Sequence, residues 1–388
     1  MRVIDGWEVV IKSWCDELED KAAEQAGNLA TLPFAFHHVA LMPDCHVGYG
    51  MPIGGVLATV GVVIPNAVGV DIGCGMRAFP LDCTVDEFMP KRESIMHEIQ
   101  RAIPTGFNHH RDAQEDWYGA DSPAFGSEHP ILDREYQKSL YQLGTLGGGN
   151  HFIESQADED SNVWFMLHSG SRNVGLQVAK HYNALAVEMN ERWHSSVPKE
   201  HELAFLPLDS DEGQAYLAEM NACLTFAYKN REHMMHAIQS VLYPEGITWG
   251  DDLDVHHNYA AMENQFGKNV MVHRKGAVRA REGERVIIPG SMGSRSYLGV
   301  GKGNHDSFMS CSHGAGRTMG RKAAVREIPA EQVISEMQAA DISLFKPKRG
   351  DVAEECRQAY KDIDVVMDAQ ADLVTPVTVL RPLAVIKA

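Results

Sequence analysis

Apolar and polar positions change period several times along the chain, and each change marks an element. Up to about Pro80 short apolar runs are separated by glycine turns, as in "GGVLATVGVVIP", which predicts a set of short strands. Residues 86–103 read as a helix, and a loop rich in Asp, Gly, Ser and Pro follows over roughly 106–132. A glycine turn, "GTLGGGN" (144–150), leads to a strand at 163–167, "VWFML". Two long helical patterns occupy about 174–193 and 210–242. In the second, Leu217, Met220, Leu224, Tyr228 and Met235 recur at spacings of three, four and seven, with Asp209 or Ser210 placed to cap it. Short strands return at 270–273 and 285–289, then a glycine-rich loop region at 290–303. Helical segments near 331–341 and 351–368 precede a final strand, "VTVLRPLAVIKA". Strands and helices come in blocks rather than in strict alternation, so the predicted fold class is α+β and not a doubly wound parallel sheet.

Composition narrows the class. The 388 residues are 44% hydrophobic and 23% charged, as in a globular protein with a sizeable core. No apolar run reaches the ~18 residues of a membrane span, and the N-terminus lacks the apolar region of a secretory signal. A cytoplasmic enzyme without a membrane partner is the expectation. Seven scattered cysteines, an odd number, argue for reduced thiols rather than a disulfide framework. Only Cys74, and less strongly Cys45, lies among other potential ligands.

The net charge of −18 argues against a protein that coats nucleic acid nonspecifically, but not against an enzyme with a local basic groove. Positive charge clusters late, at His273, Arg274, Lys275, Arg279, Arg281 and Arg285, then at Arg317, Arg321, Lys322 and Arg326, then at Lys346, Lys348 and Arg349. Solvated faces are the plain alternative for each of these short clusters.

Six polar clusters stand out: "MPDCHVGYG" (42–50), "VDIGCGM" (70–76), "GGGNHFIE" (147–154), "MLHSGSR" (166–172), "DVHHNY" (254–259) and "SCSHGAGR" (310–317). A lone buried histidine is usually a hydrogen-bonded core residue. Repeated Asp, Cys and His, each flanked by glycine or a short polar turn, form the pattern of loops converging on a metal. Thiolate and imidazoles suit zinc, cobalt or iron, and an aspartate oxygen extends this to manganese. Zinc and manganese stay open on this ligand set. No CxxC pair and no HExxH occurs, so neither a structural zinc ribbon nor a zincin is indicated, and the mixed S/N/O set fits a catalytic site better than a structural one. No P-loop and no K-x-D-G is present, yet "PGSMGSRS" (289–296) and "HGAGR" (313–317) can each offer backbone N–H groups to an anion.

Taken in order, "VGVDIGCGM", "LGTLGGGNHFIE", "MLHSGSR", "HHNY", "RKGAV", "IPGSMG" and "HGAGR" resemble the RtcB family of RNA-splicing and RNA-repair ligases, over nearly the whole chain. The resemblance implies one large domain over 1–388, with central β-sheets flanked by helices. It implies two Mn²⁺ ions held by Asp71, Cys74, His151, His168 and His257, with the Cys74 thiolate as bridge. It selects His257 over its neighbour His256, which the residues alone leave ambiguous. It makes His313 the nucleophile that takes GMP from GTP as a phosphoramidate. The guanylate is expected against Asn150, His151, Phe152, Ile153, Glu154, His257, Asn258, Pro289, Gly290, Ser291, Met292, Ser296, Gly314, Ala315, Gly316 and Lys387. Arg172, Asp44 and His46 match positions that hold RNA or support the metal shell, and Tyr360 is either a core aromatic or a neighbour of the guanine.

The reaction so implied joins an RNA 3′-phosphate or 2′,3′-cyclic phosphate end to a 5′-hydroxyl end, through histidine-GMP and an RNA 3′-pp-G intermediate, in RNA repair or tRNA splicing. RNA is then the partner, and an archease-type helper protein is compatible with the resemblance. Cys45 departs from the apolar residue common in the family, and segment 106–132 is divergent. Two rivals belong to other classes. A metal-dependent phosphoesterase would open cyclic phosphates without sealing and would not need the intact "HGAGR". A noncatalytic RNA-binding protein would need neither the ligands nor the nucleophile.

Overall fold

Two large sheets carry the molecule, and their strands are the apolar runs of the sequence closed by glycine turns. The computed structural model describes residues 1–118, 129–346 and 350–388. One sheet has six strands in the order Arg2–Ile4, Val10–Ser13, Ala35–His46, Ile53–Thr59, Lys268–Lys275 and Asn258–Gln265. The other runs Leu253–His256, Gly75–Thr84, Asn162–Ser169, Phe152–Ala157, Val374–Ile386, Ser296–Gly301 and Arg285–Ile288, and Ser343–Phe345 adds in parallel to Val374–Ile386. All other pairs in this second sheet are antiparallel. The architecture is α+β, as the block pattern predicts.

One core cluster draws on both sheets. It joins Ala40, Met42, Val56, Ala58 and Val272 of the first to Met76, Ala78, Met166, Leu298 and Val385 of the second. Among the described residues no helix is long and apolar enough to cross a membrane.

The helix Asp211–Leu242 spans about 48 Å at 1.5 Å per residue. Ser210 caps it, its Oγ accepting the Gly213 N–H at 3.1 Å. Its apolar residues do not form one stripe. Tyr216, Met220, Cys223 and Phe226 pack with the helix Arg172–Arg192, whereas Met234, Met235, Ile238 and Leu242 pack against the second sheet and the helix Arg92–Ala102. The buried side therefore rotates along the helix, and Tyr228 is left exposed beneath the Arg77 guanidinium.

Three expectations change. A helix, Asp20–Ala30, stands inside the region read as strands, because its buried face is mostly alanine and carries little apolar signal. The glycine-rich stretch 290–303 contains the strand Ser296–Gly301. The segment 351–368 holds only two short 3₁₀ turns, Val352–Glu355 and Arg357–Ala359, before the helix Ile363–Ala369. Of the loop 106–132, residues 119–128 lie outside the described residues, as do Lys348 and Arg349. Pro130 already begins the helix Pro130–Ser139.

Candidate active site

Strand register in the second sheet gathers the polar clusters. Gly75 pairs with both His256 and Ser169, and His168 pairs with both Met76 and Phe152. Cys74, His151 and His257 each sit one residue beyond these paired ends. All four side chains therefore meet at one end of the sheet. His257 is also the single residue between Leu253–His256 of one sheet and Asn258–Gln265 of the other, so the site lies where the chain crosses between sheets.

The loop before Gly75 is braced on all sides. Gly73 adopts φ +72°, a left-handed conformation that glycine takes without strain. Its N–H donates to Asn258 O at 2.8 Å, and its carbonyl accepts from Arg231 Nη1 at 2.9 Å. The buried Arg231 forks onto Asp254 with two bonds of 2.7 Å. Gly170 has its own reason to be glycine, since a Cβ there would lie 2.2 Å from Asp71 Oδ1.

Cys74 Sγ lies close to both His168 and His151, and the donor atoms of all three fall within 4.8 Å of one another. His168 Nε2 lies 3.1 Å from Cys74 Sγ and 3.4 Å from His257 Nε2. On the other side His151 Nε2 lies 3.5 Å from the same sulfur and 3.1 Å from Asp71 Oδ2. The far nitrogens of two rings are engaged: His151 Nδ1 donates to Leu146 O at 2.8 Å, and His168 Nδ1 to Asn150 O at 3.2 Å. These bonds fix the tautomer and aim each Nε2 lone pair inward, as metal-ligating histidines require. Burial, then the neighbouring histidines, hold His168 and His257 neutral, well below the usual imidazole range. Burial, and next the Asp71 charge, push the Cys74 thiol well up, so a thiolate there calls for a cation beside it. Burial alone would raise Asp71, but the adjoining His151 ring and then the charge of Arg172 hold it below its ordinary value. Neutral imidazoles, a buried thiol and a carboxylate with no apolar group between them fit a divalent metal site.

The short strand Ser310–Ser312 pairs with Ala277–Arg279 and delivers His313 beside this centre, its ring centroid 4.8 Å from that of His257. His313 Nδ1 donates to Asp44 Oδ2 at 2.6 Å, and the His313 backbone N–H reaches the same oxygen at 3.1 Å. Asp44 is fully buried, and its Oδ1 has no hydrogen-bond partner among the described residues.

A cleft of roughly 780 Å³, counted to its open mouth, leads away from His313. Of the residues expected against a guanylate, Asn150, Phe152, Glu154, Pro289, Gly290, Ser291, Met292, Gly314, Ala315, Gly316 and Lys387 line it with His313, as does His168. Ile153 is core, and Ser296 is buried, bonded to Gln156 and to Gly290 N–H. Among the described residues the Asn258 side chain bonds only backbone, to Asp71 O and Gly276 N–H. Tyr360 lines the cleft, and so does Glu355, which no motif of the sequence singles out. Glu355 receives Tyr360 Oη at 2.6 Å, Arg317 at 3.2 Å and Lys387 at 3.3 Å. Burial raises Glu154 to about 7, opposed by a 2.7 Å bond from Gln156 and by Lys387.

The late basic clusters separate by structure. Arg274 is buried in a strand and paired with Glu263 at 2.5 Å, His273 and Lys275 are buried beside it, and Arg279 pairs with Glu284. Among the described residues of these clusters, only Arg317 and Arg321 line the cleft. Cys45 turns away from the site into the cluster of Val39, Leu41 and Leu57, and burial pushes its thiol well up.

The profile of the family described as tRNA-splicing ligase RtcB matches residues 25–388. The chain belongs to the RtcB family. Relatives of the RtcB family cover it almost end to end. The RNA-splicing ligase RtcB of Escherichia coli (strain K12) is 37% identical, spanning 97% of this chain and 97% of its own. The tRNA-splicing ligase RtcB of Methanococcus maripaludis is 33% identical over 96% of this chain and 92% of its own. The RNA-splicing ligase RtcB of Mycobacterium tuberculosis is 34% identical over 94% of this chain and the full length of its own.

Proposed function

We propose that this chain is a GTP- and Mn²⁺-dependent RNA ligase acting as one unit over residues 1–388, joining RNA 3′-phosphate or 2′,3′-cyclic phosphate ends to 5′-hydroxyl ends. The observation that carries the reading is the orientation of His313. With Nδ1 committed to Asp44, the lone pair at Nε2 is left for bonding beside the Cys74–His168–His257 group and the cleft.

In this reading His313 Nε2 attacks the α-phosphorus of GTP. An N–P bond forms, the bond to the bridging oxygen breaks, and pyrophosphate leaves. Asp44 keeps the Nδ1 proton and offsets the positive charge that grows on the ring. Glu154 accepts from the guanine edge at the base of the cleft, and Lys387 and Arg317 balance its acidic lining. A 3′-phosphate oxygen of RNA then takes GMP from His313, giving the 3′-pp-G end, after any cyclic phosphate has been opened by water. The 5′-hydroxyl attacks the activated phosphate, GMP departs, and the hydroxyl proton is lost. Asp71, Cys74, His151, His168 and His257 would hold the two ions. Mn²⁺ supplies Lewis acidity towards phosphate oxygens and lowers the pKa of an attacking hydroxyl or water. An archease-type protein would act as helper.

The test is sealing of a 5′-hydroxyl RNA to a 2′,3′-cyclic-phosphate RNA with Mn²⁺, with and without GTP. A joined product that depends on GTP supports the ligase. Conversion of the cyclic phosphate to a monophosphate with no joining, GTP present, would move the assignment to a phosphoesterase.

A further inference from the structure

Phe107 is the most exposed large hydrophobic side chain among the described residues, at 101% of its reference area. Exposed phenylalanines on loose loops carry little meaning, but this loop is tied down. Gly106 N–H donates to Gly147 O at 2.9 Å, Leu146 N–H to Pro104 O at 3.0 Å, and His110 N–H to Tyr141 O at 3.0 Å. Arg172 Nη2 donates to Gly106 O at 3.3 Å, and its Nε to Thr145 Oγ1 at 3.2 Å. The backbone therefore holds the ring out in solvent on both sides of its Cα.

The position is as telling as the exposure. Residues 104–106 pair with 146–147, and Leu146 O is the group that orients His151. Arg172, which grips Gly106, lies close enough to Asp71 to influence its charge and makes no ion pair among the described residues. His109 and Arg111 follow on the same exposed loop. A solvent-facing ring on a loop gripped by Arg172 and followed by Arg111, at the rim of a site that handles phosphates, has the makings of a single-strand binding platform: bases stack on the ring while the phosphates meet the guanidinium groups.

We propose that Phe107 is a positioning residue that stacks a nucleobase of single-stranded RNA next to the end being joined. The inference rests on the ligase reading above. The buried guanylate cleft does not involve this ring, so Phe107 acts on the RNA and not on GTP.

The test uses the full-length protein and an RNA with a 3′-phosphate end and 2-aminopurine at the adjoining nucleotide. Wild type is expected to bind it and quench its fluorescence. Phe107→Ala should weaken binding by about 5- to 150-fold and lose the quenching. Phe107→Trp should restore both, whereas Phe107→Leu, apolar but without a stacking face, should not. Wild-type affinity in Phe107→Ala, or full rescue by leucine, overturns the proposal, and unchanged RNA binding would turn attention to a protein partner for this ring. Labelling of wild type by [α-³²P]GTP, run alongside, judges the ligase reading separately. Labelled protein whose RNA affinity ignores Phe107 defeats the stacking alone, and unlabelled protein whose RNA affinity follows Phe107 defeats the ligase reading alone.

Discussion

His313 and Asp44 stand 269 residues apart in sequence and meet through a single carboxylate oxygen, which takes both the ring Nδ1–H at 2.6 Å and the backbone N–H at 3.1 Å. Two bonds to one buried acceptor fix the ring's rotation as well as its tautomer. Asp44 is therefore what leaves the His313 lone pair at Nε2 rather than leaving a histidine of either tautomer.

Asp44→Asn keeps the volume and removes the charge. Guanylylation of the protein by GTP should fall by about 10²- to 10⁴-fold, the range for loss of a group that manages a catalytic proton. Circular dichroism should be unchanged. Labelling at the wild-type rate would show that the carboxylate does not tune His313.

Cys74→Ala removes the sulfur that lies against both His151 and His168. The variant should purify folded but with its metal content, measured by mass spectrometry, reduced from that of wild type loaded with Mn²⁺, and it should not take up GMP. The loop keeps its shape through Arg231, Asn258 and the backbone, none of which needs the sulfur. An unfolded variant would make Cys74 a structural residue.

What could be read from the chain, and what could not, follows from distance along it. Asp71 with Cys74, and His151, His168 and His257, each announce themselves within a few residues, because glycines and polar turns interrupt apolar strands there. Their convergence at one sheet end is a matter of register, which no local pattern encodes. Asp44 and His313 each lie in a polar cluster legible in the sequence, but their bond joins remote segments and no local pattern shows it. Glu355 is one carboxylate among 53 acidic residues, and its segment reads as helix although it is built of 3₁₀ turns. The cluster His273–Lys275 illustrates the converse: three basic residues in a row look like a surface and are interior, with Arg274 paired to Glu263, Lys275 bonded to backbone carbonyls and His273 held neutral by burial.

Glu154 gives a prediction in which stability and function part. Its carboxyl is raised to about 7 in the fold by burial, above the ordinary glutamate value. A raised acid favours the fold while protonated, so its contribution is fully present below the unfolded pKa and is lost as pH rises through about 7. Glu154→Gln should be more stable than wild type by about 1–3 kcal/mol at pH 8, and the gap should close by about pH 4. Thermal melts at the two pH values check this. On the proposed reading the same variant should lose its preference for GTP over ATP in labelling, because the amide sets a donor and a weaker neutral acceptor where the carboxylate only accepts.

The proposed ligase turns on the covalent step at His313. Wild type incubated with [α-³²P]GTP and Mn²⁺ should retain an acid-labile GMP label, and His313→Ala, folded by circular dichroism, should retain none. A wild type that stays unlabelled across a range of divalent metals, or a His313→Ala variant that labels as well as wild type, would contradict it.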